Sequence, residues 1–253
     1  MKLFGNSSKN KNDSPETFNI GDDRKYLLWT NNDFFLRESF KTLRTNVIFA
    51  LANTEGCKVV AITSGMQGEG KSTVAANLAM SFVDMGAKVL IVECDLRRPK
   101  LAMLLECQTG SGITNAFIDI SLLKSSIVKY EGGELDVLPC GSIPPNPSEL
   151  LGSEKMRKIL DILKQDYDYI ILDTPPVNMV TDAMVLAAQT DGLIYVVKAN
   201  QSDRRDFLHA MEQMEYARTK VLGVVFNGTE QGFGGYGYKR YGYSGGYSGY
   251  SSK

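Results

Sequence analysis

The chain has 253 residues, 43% of them hydrophobic, and a formal net charge of -1 at pH 7. That suffices for one large α/β domain, and the near-zero charge excludes a global field drawing the protein to nucleic acid or an acidic membrane. No apolar run approaches the roughly 18 residues of a membrane span, and the polar continuation of Met1-Lys2-Leu3-Phe4-Gly5-Asn6 is unlike a secretory signal. A cytosolic protein is expected, joined to a membrane only through a partner.

Cys57, Cys94, Cys107 and Cys140 are scattered without a C-x-x-C pair, which reads as reduced thiols. His209, the sole histidine, lies in a helical stretch with no catalytic partner nearby in sequence, so a surface or packing role is expected.

Residues 1–30 are rich in Asn, Ser, Lys and Asp and lack periodic apolar positions, the pattern of a flexible arm ahead of a domain over 31–229. From Phe34 to Asn53, Phe35, Leu36, Phe40, Leu43, Val47, Ile48 and Leu51 recur at helical spacing, with Asp33 as N-cap. Glu38, Lys41 and Arg44 lie three apart on its charged face. That is either a solvated face with an internal ion pair or a subunit contact.

The run Val59-Val60-Ala61-Ile62-Thr63-Ser64 reads as a buried strand. It ends in Gly65-Met66-Gln67-Gly68-Glu69-Gly70-Lys71-Ser72-Thr73, and a helix-forming run follows. This is G-x-x-x-x-G-K-S between strand and helix, the phosphate-binding loop in its required context. Its amides and the helix N-terminus would face a polyphosphate. Lys71 would reach the β- and γ-phosphates, and the Ser72 hydroxyl would hold Mg²⁺.

Gly86 closes that helix, and a second strand, Lys88 to Val92, finishes in Glu93-Cys94-Asp95-Leu96-Arg97-Arg98-Pro99. Carboxylates at the carboxyl end of a strand beside a phosphate loop sit where an open α/β sheet places its chemistry. Glu93 and Asp95 are therefore candidates for metal binding or for accepting a proton. Arg97 and Arg98 would contact phosphate or neighbouring acids. Residues 100–133 are less informative. A short strand at 135–139, a rigid Pro144–Leu151 loop and a helix from Ser153 to Gln165 follow.

Tyr167-Asp168-Tyr169-Ile170-Ile171-Leu172-Asp173 is an apolar strand ending in Asp, a Walker B element whose carboxylate orders Mg²⁺ and its waters. Helices at 182–188 and 203–218 alternate with strands at 192–197 and 221–227. Asn227 is placed to meet an adenine edge. The alternation predicts an α/β fold with a mostly parallel sheet covered by helices on both faces.

Beyond Thr229 the composition breaks into glycine and tyrosine. Half of the chain's 12 tyrosines lie there: Tyr236, Tyr238, Tyr241, Tyr243, Tyr247 and Tyr250. Without aliphatic residues, 230–253 is expected to be disordered. Its tyrosines read as sticky aromatic groups or as phosphate acceptors. Only Lys239, Arg240 and Lys253 are cationic there, so nucleic acid is not expected as a partner.

Together these pieces resemble the bacterial tyrosine kinases (BY-kinases) of capsular and exopolysaccharide operons, in the form whose kinase subunit is a separate cytoplasmic chain. The resemblance rests on the loop at 65–73, the D-x-D-like segment at 93–95, P-P-N-P-S-E-L-L at 144–151, I-L-D-T-P-P-V at 171–177 and the tyrosine cluster. It implies a P-loop NTPase fold of the partitioning-ATPase-like branch, using ATP and Mg²⁺ to phosphorylate the tail in trans within a ring-like homo-oligomer. Lys71, Glu93, Asp95 and Asp173 would be catalytic, with Ser72, Asp95 and Asp173 on the metal and Glu38, Lys41 and Arg44 at the subunit contact. Implied partners are a membrane-embedded chain-length regulator of the Wzz type, holding the kinase at the inner face of the membrane, and a tyrosine phosphatase. Two departures stand out: Glu93 replaces the family's first Asp, and Lys41 replaces the central Arg of E-x-x-R-x-x-R. Met66 stands where partitioning ATPases carry a signature lysine, which argues against that subfamily. The competing readings are a partitioning-type ATPase switch without kinase activity and a non-catalytic scaffold that binds ATP.

Overall fold

The computed structural model describes residues 23–130 and 133–229. The expected arm up to residue 22 and the tail from 230 lie outside them.

Among the described residues seven strands form one sheet in the order β3-β4-β2-β5-β1-β6-β7. They are β1 Lys58–Ser64, β2 Val89–Glu93, β3 Val128–Lys129, β4 Asp136–Leu138, β5 Tyr169–Asp173, β6 Gly192–Lys198 and β7 Val221–Asn227. All pairings are parallel except β3 with β4. The strands β1, β2 and β5 are apolar runs because helices cover both faces, so neither side can be polar. Alternation then divides their residues between two cores. Val60, Ile62, Ile91 and Ile171 pack with helix α1 (Phe34–Ala50) and helix α2 (Lys71–Val83). Val59, Ala61, Leu90 and Leu172 pack on the other side. That side is covered by α4 (Ile113–Ile118), α6 (Glu154–Leu163), α7 (Asp182–Ala187) and α8 (Arg204–Tyr216). Single turns α3 (Leu101–Leu104) and α5 (Pro147–Leu151) complete the helices named here.

Local sequence sets the ends of these elements. Asp33 caps α1 by accepting from the Leu36 N–H at 2.9 Å, and Ser153 caps α6 by accepting from Met156 at 3.2 Å. In α6 the buried residues are Met156, Ile159, Leu160 and Leu163, one stripe of a 3.6-residue period. Gly86 ends the turn after α2 at φ 88°, a left-handed conformation suited to glycine.

The domain begins earlier than its composition suggests. Leu27 and Leu28 are 1% exposed in the α1–α2 core. The Leu28 N–H donates to Asn77 Oδ1 at 2.9 Å, and Asn77 Nδ2 donates to the Tyr26 carbonyl at 2.8 Å. Trp29 stacks on Tyr130 with centroids 4.7 Å apart. Residues 23–30 are therefore part of the fold, correcting their assignment to the arm. Two adjacent leucines outweigh a polar neighbourhood once a groove is present to bury them. Among the described residues, no helix is long and apolar enough to cross a membrane.

Candidate active site

The parallel register brings the chemistry to one end of the sheet. The carboxyl ends of β1, β2 and β5 are neighbours, with Glu93 directly beside Asp173 and Asp173 beside Ile62. The phosphate loop leaves β1 at this edge. Its glycines answer different demands. Gly68 and Gly70 take φ 80° and 88°, where an L side chain is strained. A Cβ at Gly65 would lie 2.4 Å from the Tyr195 hydroxyl. Gly70 is the N-cap of α2 and no side chain caps that helix end, which leaves its first N–H groups for an anion.

Not every loop residue expected at the nucleotide points to it. The Met66 N–H donates to Glu69 Oε2 at 2.8 Å, and the Glu69 side chain is 2% exposed. Gln67 Oε1 accepts from Arg98 Nη1 at 2.7 Å. Asn227 presses on the loop itself. Its Nδ2 donates to the Glu69 carbonyl at 3.0 Å and stands where a Cβ on Gly70 would lie 2.1 Å away. An adenine contact is left to its remaining amide groups. Gly65, Gly68 and Gly70 lie in the loop between β1 and α2, and Lys71, Ser72 and Thr73 form the first turn of α2.

Lys71 is the hub. Its Nζ stands 3.1 Å from Asp95, 3.7 Å from Asp173 and 3.5 Å from Ser72 Oγ. Burial works against its charge, but Asp173, Asp95 and Glu93 outweigh it and raise the pKa above its ordinary value. Asp173 is fully buried and neither of its oxygens has a well-formed hydrogen bond. Burial raises its pKa, while Lys71 and Ser72 pull the other way. An orphaned carboxylate beside a hydroxyl suits a hard cation. Among the described residues there is no ready-made cluster of three or more metal-ligating side chains. A bound Mg²⁺ would complete its shell with phosphate oxygens and water, as this ion commonly does. Ser72 and Asp173, with Asp95, would be the residues to hold it.

Glu93 does not fit the role of an open base. It is fully buried. Oε2 accepts from the N–H groups of Lys100 at 2.8 Å and Leu101 at 2.7 Å, and Oε1 accepts from Asp95 at 3.1 Å. The carboxylate caps the start of α3, and its extra methylene over Asp supplies the reach. Burial first, then the Asp173 charge, push its pKa to about 8. Asp95 is 5% exposed and accepts from the Arg98 N–H at 3.1 Å, which leaves it better placed for an incoming hydroxyl.

Arg97 pairs with an acid, one of the two contacts expected of it, while other residues at this edge went unnoticed in the sequence. Arg97 forks onto the buried Asp182 at 2.8 and 3.1 Å and also reaches Ser148, tying the Glu93–Arg97 segment to α5 and α7. Lys198 ends β6 and Ser202 follows it, next to β1 in the sheet, and that position was the available signal. Far from this edge, Glu38 and Lys41 form an exposed ion pair at 2.7 Å, while Arg44 donates to the Ser81 carbonyl on α2.

A mostly parallel sheet, a glycine loop running into a helix that opens with Lys71-Ser72 and a strand-terminal Asp173 define a P-loop nucleotide-binding protein. The model of the AAA domain family matches residues 57–216. The Bacillus subtilis tyrosine-protein kinase YwqD is 36% identical over 205 residues, covering 81% of this chain and 86% of the relative. A chimeric protein, CapA2B2, is 38% identical with TM-score 0.70, over 75% of this chain and 83% of that one. The kinase domain of the Escherichia coli tyrosine kinase ETK is 30% identical with TM-score 0.73, over 77% and 76%. The septum-site-determining protein MinD of Pyrococcus horikoshii OT3, complexed with Mg-ADP, is 25% identical with TM-score 0.56, over 67% and 70%. The chain belongs to the family of bacterial tyrosine-protein kinases built on this AAA domain.

Proposed function

We propose that the protein transfers the γ-phosphate of ATP, taken as its Mg²⁺ complex, to the tail tyrosines Tyr236, Tyr238, Tyr241, Tyr243, Tyr247 and Tyr250 of a second copy. The observation that carries this reading is Lys71 held between Asp95 and Asp173 at the mouth of the phosphate loop. Those acids stand in for the phosphates that the ammonium would meet in the loaded site. When bound, Mg²⁺ would neutralise charge on the β- and γ-phosphates. Lys71 and the loop amides would stabilise the charge that spreads over the transferring group. The tyrosine oxygen bonds to the γ-phosphorus, the bond to the β-phosphate bridging oxygen breaks, and ADP leaves. Asp95 takes the phenol proton.

The same reading places the chain in the control of capsule or exopolysaccharide synthesis and export. It works at the inner face of the membrane through a Wzz-type activator, forms a ring-like homo-oligomer through the α1 face of Glu38, Lys41 and Arg44, and is reset by a tyrosine phosphatase. The likeness to a chimeric protein supports a partner polypeptide for this domain.

The test mixes a donor truncated after Thr229 with a full-length Lys71→Met acceptor in Mg-ATP and maps phosphotyrosine. Label on the acceptor's tail supports transfer between chains. Label only when one chain carries both parts overturns the trans assignment, and phosphate release without phosphotyrosine overturns the acceptor assignment.

A further inference from the structure

The phosphate loop is gripped from outside by three residues that the transfer step does not use. Lys198, the last residue of β6, donates from Nζ to the Gly68 carbonyl at 3.1 Å. Asn227, the last residue of β7, donates from Nδ2 to the Glu69 carbonyl at 3.0 Å. These are consecutive carbonyls. A peptide unit is planar, and in the trans form its C=O and N–H point opposite ways. Holding the Gly68 and Glu69 carbonyls therefore aims the N–H groups of Glu69 and Gly70 to the other side of the loop.

Ser202 completes the grip. The loop carries a carboxylate, Glu69, where it must accept a polyanion, and an acid facing the nucleotide would oppose binding. Instead, Ser202 Oγ accepts from the Lys198 N–H at 2.8 Å and donates to Glu69 Oε1. The other oxygen of Glu69 takes the Met66 N–H. The carboxylate is thus satisfied while buried and turned inward. The turn that makes this possible holds Asn200 at φ 58°, a left-handed conformation that Asn tolerates better than most residues.

We propose that Lys198 and Asn227, with Ser202 seated on Glu69, are positioning residues for ATP, aiming the Glu69 and Gly70 amides at the triphosphate. The proposal rests on reading the loop as the ATP site. Preorganised donors of this kind act through orientation, which a flexible loop would have to recover on binding.

The experiment titrates the full-length chain with Mg-AMP-PNP and follows tail phosphorylation in parallel. Lys198→Ala and Asn227→Ala are each expected to weaken binding about tenfold, the scale of one lost orienting hydrogen bond. KM for ATP should rise with kcat within about threefold and the nucleotide-free melting temperature unchanged, and Lys198→Arg should restore affinity. Ser202→Ala should weaken binding and Ser202→Thr restore it. Wild-type affinity in folded Lys198→Ala and Asn227→Ala overturns the proposal. So does a fall in kcat with affinity intact. If Lys198→Ala fails to fold, Asn227→Ala and Lys198→Arg decide it. Failure of the wild type itself to bind, or undiminished binding by Lys71→Met, instead overturns the reading of the ATP site.

Discussion

Glu93 and Asp173 are register partners on adjacent parallel strands, both without exposure to solvent. Two buried carboxylates side by side cannot both ionise at little cost, and Lys71 supplies one compensating charge. Backbone donors favour the charged form of Glu93, but burial and Asp173 prevail and hold its pKa near 8. The folded protein therefore binds more protons than the unfolded chain between the ordinary value of 4.5 and about 8. Stability falls as pH rises through that window.

Glu93→Gln should flatten this dependence, leaving a smaller slope from Asp173, whose pKa is also raised. Thermal unfolding of the nucleotide-free protein from pH 5.5 to 8.5 checks it. The expected difference in pH-dependent stability is on the order of 1–2 kcal/mol. Superimposable profiles for wild type and variant would contradict it.

Asp95 competes with phosphate for Lys71 across 3.1 Å. Asp95→Asn should raise affinity for ATP in the absence of Mg²⁺ several-fold, while lowering kcat by roughly 10²–10³ if Asp95 is the proton acceptor. Titration in EDTA and steady-state kinetics with Mg²⁺ measure the two effects. Because Glu93 caps α3, Glu93→Ala should lower the melting temperature in thermal unfolding while leaving kcat far less affected than Asp95→Asn does.

Gly112 has no room for a methyl group. Its Cβ would lie 2.2 Å from the Pro139 carbonyl oxygen and 2.3 Å from the Gly141 nitrogen, both immobile backbone. Gly112→Ala should cost about 2–3 kcal/mol in a denaturant titration. Gly110→Ala, which meets nothing within 4 Å, should cost little.

Leu27 tests where the domain begins. Leu27→Ala should destabilise by about 2–4 kcal/mol, as a cavity in the α1–α2 core demands. A neutral result would return residues 23–30 to the arm.

The order of strands and helices was legible because buried parallel strands are continuous apolar runs, and the phosphate loop was legible because its glycines and Lys-Ser pair are contiguous. Asp173 was read correctly at a strand end for the same reason. What local sequence does not carry is which groups meet across the sheet. Glu93 read as a candidate metal ligand or proton acceptor, whereas its hydrogen bonds from Lys100 and Leu101 make it a cap. Asn227 read as an adenine contact, and nothing in its sequence neighbourhood reveals that β7 ends against Gly70, where its amide also holds the loop. Lys198, Ser202 and Asp182 were invisible for the same reason. The helical turn at 101–104 and the two-residue strand at 128–129 were too short to show a period.

Intact mass after incubation with Mg-ATP tests the central claim most directly, comparing wild type with Lys71→Met and with a chain truncated after Thr229. Successive phosphate additions in the wild type and none in either variant are predicted. Unmodified wild type alongside steady ATP hydrolysis, even with an activator's cytoplasmic segment supplied, would contradict the account and leave a nucleotide-driven switch in its place.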